Sequence, residues 1–299
     1  MVIKVTVGLC VRNGAQVVKN AFKSISIQDY PHELMKLVIV NDGSVDNTLS
    51  LAQEFARGID IQTVIISTTG VGLGTARQLV VNNADGDYIV WVDDDLVLSK
   101  DFIRNHVEFM EKNPNVGAAR GIYNLNINNP SIIELPIFVY AILNNTPNPK
   151  AIGTGGAIFR IKALENVGGF DIHIKGAGED KDISHRIIKS GWALATNTSS
   201  KVYSSKNNPK TWPTLWKKWF GYGYGNHLLY HKHNFKELLI EIFPPLALLS
   251  IIKLSIMIYR LNNMKKIFFL AVPLSFIYIA KSFGFLRAHF DEYGHTKDI

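Results

Sequence analysis

The amino-acid sequence predicts an α/β fold: a mostly parallel sheet flanked by helices, followed by a C-terminal apolar helical hairpin. Three observations predict it. Apolar, β-branched runs alternate with helix-period segments in units of roughly 25 to 30 residues, the pattern of strand–helix–strand crossovers. Polar clusters stand where two of those runs stop, at Asn41-Asp42-Gly43-Ser44 and Asp93-Asp94-Asp95, and in parallel sheets ligands bind beyond such strand ends. Two stretches of about 20 apolar residues, each long enough to span a bilayer, occupy 238–259 and 267–286.

The elements follow in order. Residues 2–9 read as a strand and 15–27 as a helix with Val18, Phe22 and Ile25 on one face. Residues 36–40 are a short apolar run suited to a buried strand, closed by the Asn41-Asp42-Gly43-Ser44 turn. Asp46 or Asn47 can cap a helix through residue 56. A third strand at 62–67 leads into Gly70-Val71-Gly72-Leu73-Gly74, a glycine-rich turn opening a helix through residue 84. A fourth strand at 88–92 ends in the three aspartates, and Ser99 caps a helix through residue 112. Beyond it, 116–123 and 152–159 read as strands, with an apolar insert at 132–143 between them. Glu179-Asp180-Lys181-Asp182 begins a helix ending near Gly191, its acidic first turn suiting the helix dipole. Residues 192–196 and 201–203 read as two short strands.

Composition narrows the function classes. The 299 residues are 47% hydrophobic and 19% charged, too apolar for a disordered chain. A single cysteine, Cys10, excludes an internal disulfide and a multi-thiolate zinc site. The net charge of +7 is uneven: residues 1–200 carry 18 basic and 20 acidic side chains, residues 201–299 carry 14 and 5. A basic tail that also holds the longest apolar runs suits an anionic membrane surface, not a nucleic acid. The chain opens directly on a strand pattern without a signal-peptide profile, so the bulk of the protein is expected in the cytosol, at the cytoplasmic face of the membrane.

Several clusters carry chemistry, each with a plainer alternative. Three consecutive carboxylates repel one another unless a cation is present, and an oxygen-only cluster prefers Mg²⁺ or Mn²⁺ shared with phosphate oxygens; the alternative is an acidic loop and helix cap. Asp42 can accept from a ribose hydroxyl or base N–H, or merely close a turn. The glycines at 70–74 look like a dinucleotide loop, but they follow the third strand, not the first, and the offsets differ. They would instead let the chain pass close to a nucleotide, while Arg77 caps a pyrophosphate or pairs with an acid. Glu179-Asp180, beside the glycines at 176 and 178, offers a general base kept ionised by the helix end and a nearby cation, or simple capping. Trp212 through Gly225 is aromatic and basic, with Lys217 and Lys218 able to meet phosphate and the rings able to stack or lie at a membrane interface; the alternative is an amphipathic helix. His227, His231 and His233 have ligand-like spacing but no carboxylate or thiol beside them.

The ordered set resembles family 2 glycosyltransferases of the GT-A nucleotide-diphospho-sugar transferase fold. It comprises Asn13 after the first strand, Val40-Asn41-Asp42-Gly43-Ser44-Val45-Asp46-Asn47-Thr48, Gly70 through Ala76-Arg77, and Val92-Asp93-Asp94-Asp95. It continues with Gly155-Gly156-Ala157-Ile158-Phe159-Arg160, Gly168-Gly169-Phe170-Asp171 and Gly178-Glu179-Asp180-Lys181-Asp182. The resemblance covers residues 1–230 and leaves 231–299 as a basic, hydrophobic membrane-association region. It implies that Asp42 contacts the nucleotide base, with Val11, Arg12 and Asn13 beside it. It implies Asp95 as the main ligand of Mg²⁺ or Mn²⁺, Asp93 near the metal or ribose, and Asp180 as catalytic base with Glu179 adjacent. Lys217, Lys218 and Trp219 resemble the basic–aromatic element found near the leaving diphosphate in processive members, without its leading Gln and its Arg. Val202-Tyr203-Ser204-Ser205 stands where many relatives carry a metal-binding His.

The implied reaction is inverting transfer from a nucleoside-diphosphate sugar to a glycan or polyprenyl-linked acceptor. Two other readings stay open: a polyprenyl-phosphate monoglycosyltransferase, whose ionised acceptor hardly needs a base, and a non-catalytic sugar-nucleotide or glycan binder on the same fold.

Overall fold

A computed structural model describes residues 3–124, 130–143, 146–204, 211–235, 238, 252, 255–260 and 265–294. It divides into two compact units: 1–124 with 145–175 and 179–206, and 125–144 with 176–178 and 207–299. The long helix at 212–233 packs within the second unit.

The first unit is built on strands β1 (Val5–Val11), β2 (Met35–Asp42), β3 (Gln62–Thr68), β4 (Tyr88–Trp91), β5 (Leu96–Leu98), β6 (Val116–Tyr123), β7 (Ala157–Arg160) and β8 (Ala193–Ser204). They form a single sheet in the order β3-β2-β1-β4-β7-β6-β8-β5. The ladders β3-β2, β2-β1, β1-β4 and β6-β8 are parallel. The ladders β4-β7, β6-β7 and β5-β8 are antiparallel. The sheet is therefore mixed, not mostly parallel: β7 inserts antiparallel between β4 and β6, and β5 folds back onto the far edge. The two short strands expected at 192–196 and 201–203 are one strand, β8, whose register against β6 shifts at Arg120/Ile122.

Alternation along the central strands builds two cores. On β2, Leu37 and Ile39 join a cluster with Phe22, Ile25, Phe102 and Met110 from helices α1 (Val18–Ser26) and α4 (Phe102–Lys112). Val38 and Val40 face the other way, onto Ala76, Val80, Leu164, Ile183 and Ile187. Those residues come from α3 (Leu73–Asn82), α6 (Ile161–Glu165) and α7 (Glu179–Lys189). Helix α2 (Thr48–Gly58) adds Ala52 to the first core. Both faces are covered, which is why β1, β2 and β4 read as near-continuous apolar runs.

The second unit holds α5 (Leu135–Leu143), α8 (Trp212–His233) and α9 (Ala271–Phe290), the last entered through a 3₁₀ turn at Lys265–Leu270. Thr211 caps α8, its Oγ1 accepting from Thr214 N, and Asn234 ends it in the left-handed conformation. Helices α8 and α9 meet along small residues. A side chain on Gly284 would run into the Phe220 carbonyl, and one on Gly223 into the Lys281 carbonyl. Ala280 and Ala288 are buried, whereas Val272, Ile279, Phe283, Leu286 and Phe290 form an exposed apolar stripe at helical spacing. The expected hairpin is represented by one long helix, since most of 238–259 lies outside the described residues. The run Lys265–Phe290, 26 residues, is long and apolar enough to cross a membrane.

One buried group makes stability pH-dependent. His106 of α4 is fully buried against Phe102, with neither ring nitrogen hydrogen-bonded. Burial pushes its pKa down to about 3 from 6.5, so the folded protein holds it neutral while the unfolded chain protonates. Stability attached to His106 is full above its unfolded pKa and falls as pH drops toward the folded value. In urea titrations between pH 6.5 and 4, His106→Leu is expected to flatten the acid limb by about one proton, about 1.4 kcal/mol per pH unit. An unchanged limb would contradict the assignment.

Candidate active site

The site lies where β1, β2 and β4 end and α3 and α7 begin. Asp42, the last residue of β2, is buried. Its Oδ1 accepts from Thr68 Oγ1 at 2.6 Å and Val71 N at 2.7 Å, and Oδ2 accepts from Gly72 N at 3.1 Å. A carboxylate offers about four acceptor positions, so one remains on Oδ2. Leu73 N and Gly74 N donate to the Lys175 and Ile174 carbonyls. The N–H groups of Val71 to Gly74 are thus committed within the protein and not left to meet a phosphate. Gly72 has φ 93°, and a Cβ there would sit 2.7 Å from the Lys175 carbonyl oxygen, so this close approach requires glycine.

Beside Asp42 is a cavity of about 210 Å³ lined by Cys10, Val11, Arg12, Asp42, Gly72 and Lys175 among others. The Arg12 guanidinium lies over Gly70, which has φ 95°. Asn13, itself at φ 53°, ties this rim together: its N–H donates to Ser44 Oγ and its Oδ1 accepts from Val45 N, both at 2.9 Å. Asn13 therefore acts on the loop. Burial pushes the Cys10 thiol up to about 12, with Asp93, Asp42 and Glu179 adding and Arg77 opposing. It is a neutral lining group at physiological pH.

The carboxylates meet around Arg77. This α3 residue is buried, donating Nη1–H to Glu179 Oε1 and holding Nη2 3.5 Å from Asp93 Oδ1. Arg77 thus pairs with acids, one of the two roles open to it from sequence. Burial opposes its charge, but Glu179 and Asp93 hold it firmly protonated. Glu179 Oε2 is buried without a hydrogen-bond partner. Burial pushes the Glu179 carboxyl up to about 7; Arg77 pulls it down, and Asp180 and Asp93 add to the rise. The helix end does not keep Glu179 low as expected, because it points inward. Asp93, 44% exposed, is raised by the enclosing protein and by Asp95, Asp94 and Asp180, against Arg77.

Asp180, half-buried, accepts from Lys181 N at 2.7 Å through Oδ1, and its Oδ2 faces Gly153. A Cβ on Gly155 would collide with Asp93 Oδ2, so the 153–156 segment passes directly over both acids. Asp94 and Asp95 are partly buried beside Asp93. Among the described residues no group of three or more His, Cys, Asp or Glu side chains is arranged to hold a metal ion by itself, and this includes His227, His231 and His233. His227 Nδ1 instead lies 2.6 Å from the Tyr293 carbonyl. Lys217, Lys218 and Trp219 lie on α8 in the second unit, where Lys281 Nζ stands 5.0 Å from the Trp219 ring centroid. Sequence reasoning missed Thr68 and Lys175. Thr68 was recoverable from the β2–β3 register, which pairs it with Asp42; Lys175 had no sequence signal.

The glycosyl transferase family 2 model matches residues 6–168, more than half of the chain. The chain belongs to that family. A second model, glycosyl transferase family group 2, matches residues 88–283. The chain is 24% identical over 295 residues to the poly-beta-1,6-N-acetyl-D-glucosamine synthase of Staphylococcus epidermidis, covering 95% of this chain and 66% of that protein. It is 23% identical over 100 residues to the poly(ribitol-phosphate) beta-N-acetylglucosaminyltransferase TarS of Staphylococcus aureus, covering 33% and 18%. The chain thus spans two thirds or less of the curated relatives it matches. Among solved structures, the mannosyltransferase PcManGT from Pyrobaculum calidifontis, in complex with GDP-Man and Mn²⁺, is similar with TM-score 0.73 and 17% identity, over 98% of this chain and 88% of that one. This is a GT-A-like likeness of fold.

The Asp42 cluster has a measurable consequence. Asp42→Ala leaves the Val71 and Gly72 N–H groups without their acceptor and is expected to cost about 2–4 kcal/mol in urea unfolding. Asp42→Asn, which keeps the Oδ1 acceptor, is expected to cost less. Equal stability of wild type and Asp42→Ala would contradict this role.

Proposed function

We propose that the chain transfers a sugar from a nucleoside-diphosphate donor to a hydroxyl of a glycan or lipid-linked acceptor, with inversion, at the cytoplasmic face of a membrane. The observation that carries this is the convergence of Asp42, Asp93 and Glu179-Asp180 at one end of the sheet, next to an open cavity. The family membership and the polymeric glycans in the relatives' names support it.

The remaining acceptor position on Asp42 suits a base N–H, with Val11 and Arg12 lining the same cavity and Gly70 at its rim. Asp95 and Asp93 form an oxygen-only donor set whose crowded charge favours a cation, and two carboxylates plus phosphate oxygens are a usual Mg²⁺ or Mn²⁺ environment. The ion would neutralise charge on the departing diphosphate. Asp180 takes the proton from the acceptor hydroxyl as that oxygen bonds to the anomeric carbon, opposite the breaking bond to the diphosphate. The apolar stripe of α9 and the +9 balance of residues 201–299 support attachment to an anionic bilayer.

Asp180→Asn is expected to lower kcat about 10²–10⁴-fold while donor KM stays within a few-fold, measured by nucleoside-diphosphate release. Retention of most activity would contradict a hydroxyl acceptor and favour the polyprenyl-phosphate reading, in which Asp180 only orients. In membrane fractions, the protein is expected to resist high-salt washing. Release by salt would contradict insertion of α9.

A further inference from the structure

We infer that Arg77 is a positioning residue that sets the spacing between the donor-side carboxylate Asp93 and the base-bearing first turn of α7. The inference rests on the proposed transfer reaction and assigns Arg77 a task other than binding diphosphate.

The geometry comes from three elements. Arg77 projects from α3, Asp93 follows β4, and Glu179 opens α7. One guanidinium reaches both acids, Nη1 to Glu179 and Nη2 to Asp93. Its planar fork holds two acceptors at a fixed separation, which an ammonium on a flexible stem cannot do. The fork is itself enclosed: Arg77 is 5% exposed, and the Phe170 ring centroid lies 6.0 Å from its central carbon. Burial leaves it little access to a diphosphate.

On the α7 side, Arg77 is the side-chain hydrogen-bond partner of Glu179 among the described residues, and Glu179 Oε2 makes no bond. The preceding Gly178, at φ 119°, brings no side chain to anchor the turn. The Arg77–Glu179 pair therefore anchors the first residue of α7, while the next turn is held through Ser184 to Ile152 and through Arg186 to Asp182 and Val167. Asp180 is the next residue, with its Cα about 3.8 Å along the chain, so fixing Glu179 fixes the origin of the Asp180 side chain. Transfer requires the Asp180 carboxylate and the donor's anomeric carbon in one geometry, and errors of about 1 Å cost about 10²-fold in rate. Arg77 links the two sides directly.

The test compares wild type, Arg77→Lys and Glu179→Gln. Thermal unfolding of each checks folding, and three readouts follow: nucleoside-diphosphate affinity with Mn²⁺, steady-state transfer, and amide hydrogen exchange across residues 179–183. Arg77→Lys keeps the charge and loses the fork. It is expected to keep nucleotide affinity and donor KM within about 3-fold while kcat falls about 10²-fold, with faster exchange in the first turn of α7. Glu179→Gln keeps an acceptor for Nη1 and is expected to lose less kcat than Arg77→Lys. The proposal is overturned if Arg77→Lys retains kcat within about 3-fold, or if its loss falls on nucleotide affinity and donor KM, which would make Arg77 a diphosphate ligand. A wild type that transfers no sugar refutes the proposed reaction instead. Exchange then still decides the positioning: unchanged protection in Arg77→Lys overturns it.

Discussion

The parallel strands β1, β2 and β4 end at one edge, and that edge gathers acidic side chains faster than it can neutralise them. Asp93 and Glu179 converge on a single buried guanidinium, with Asp94, Asp95 and Asp180 close by. Burial raises both Asp93 and Glu179, and the neighbouring like charges add to that rise. Arg77 offsets part of it and in doing so joins α3, β4 and α7. On the proposed function, a cation and the donor's diphosphate would meet the acids beside Asp93, which links the fold to the proposed chemistry.

The same strand ends explain why the neighbouring loop behaves as it does. Asp42 gathers Thr68, Val71 and Gly72, and the 174–175 carbonyls take the next two N–H groups. The glycine turn is consequently a hydrogen-bonded wall of the cavity. Phosphate charge, on the proposed function, is met by the acidic triplet's cation instead of by a helix N-terminus.

Much of this was legible in the sequence. Strands β1 to β4 and helices α1 to α4 follow from apolar runs alternating with helix-period segments, because burial of both sheet faces writes itself into local composition. The acids were legible as polar residues at strand ends. The mixed character of the sheet was not, because it depends on where β7 inserts and how β5 returns, pairings between segments far apart in the chain. Three residues, Leu96–Leu98, carry too little periodicity to read as a strand. The Arg77–Glu179 pair joins positions 102 apart and no local pattern encodes it. In the second unit, the apolar length of 267–286 was plain, but the segregation of small residues toward α8 and large ones outward emerges only from the helix pair, a pattern also used between helices in membranes.

The central claim is that the acidic strand end binds a nucleotide through a divalent cation. Calorimetric titration of nucleoside diphosphates into the wild type and Asp95→Asn, with Mn²⁺, Mg²⁺ or EDTA, tests it most directly. The expected result is cation-dependent binding, weakened at least about tenfold by EDTA or by Asp95→Asn, a loss of about 1.4 kcal/mol or more. Equal affinity with and without cation, or no nucleotide binding under any condition, would contradict it.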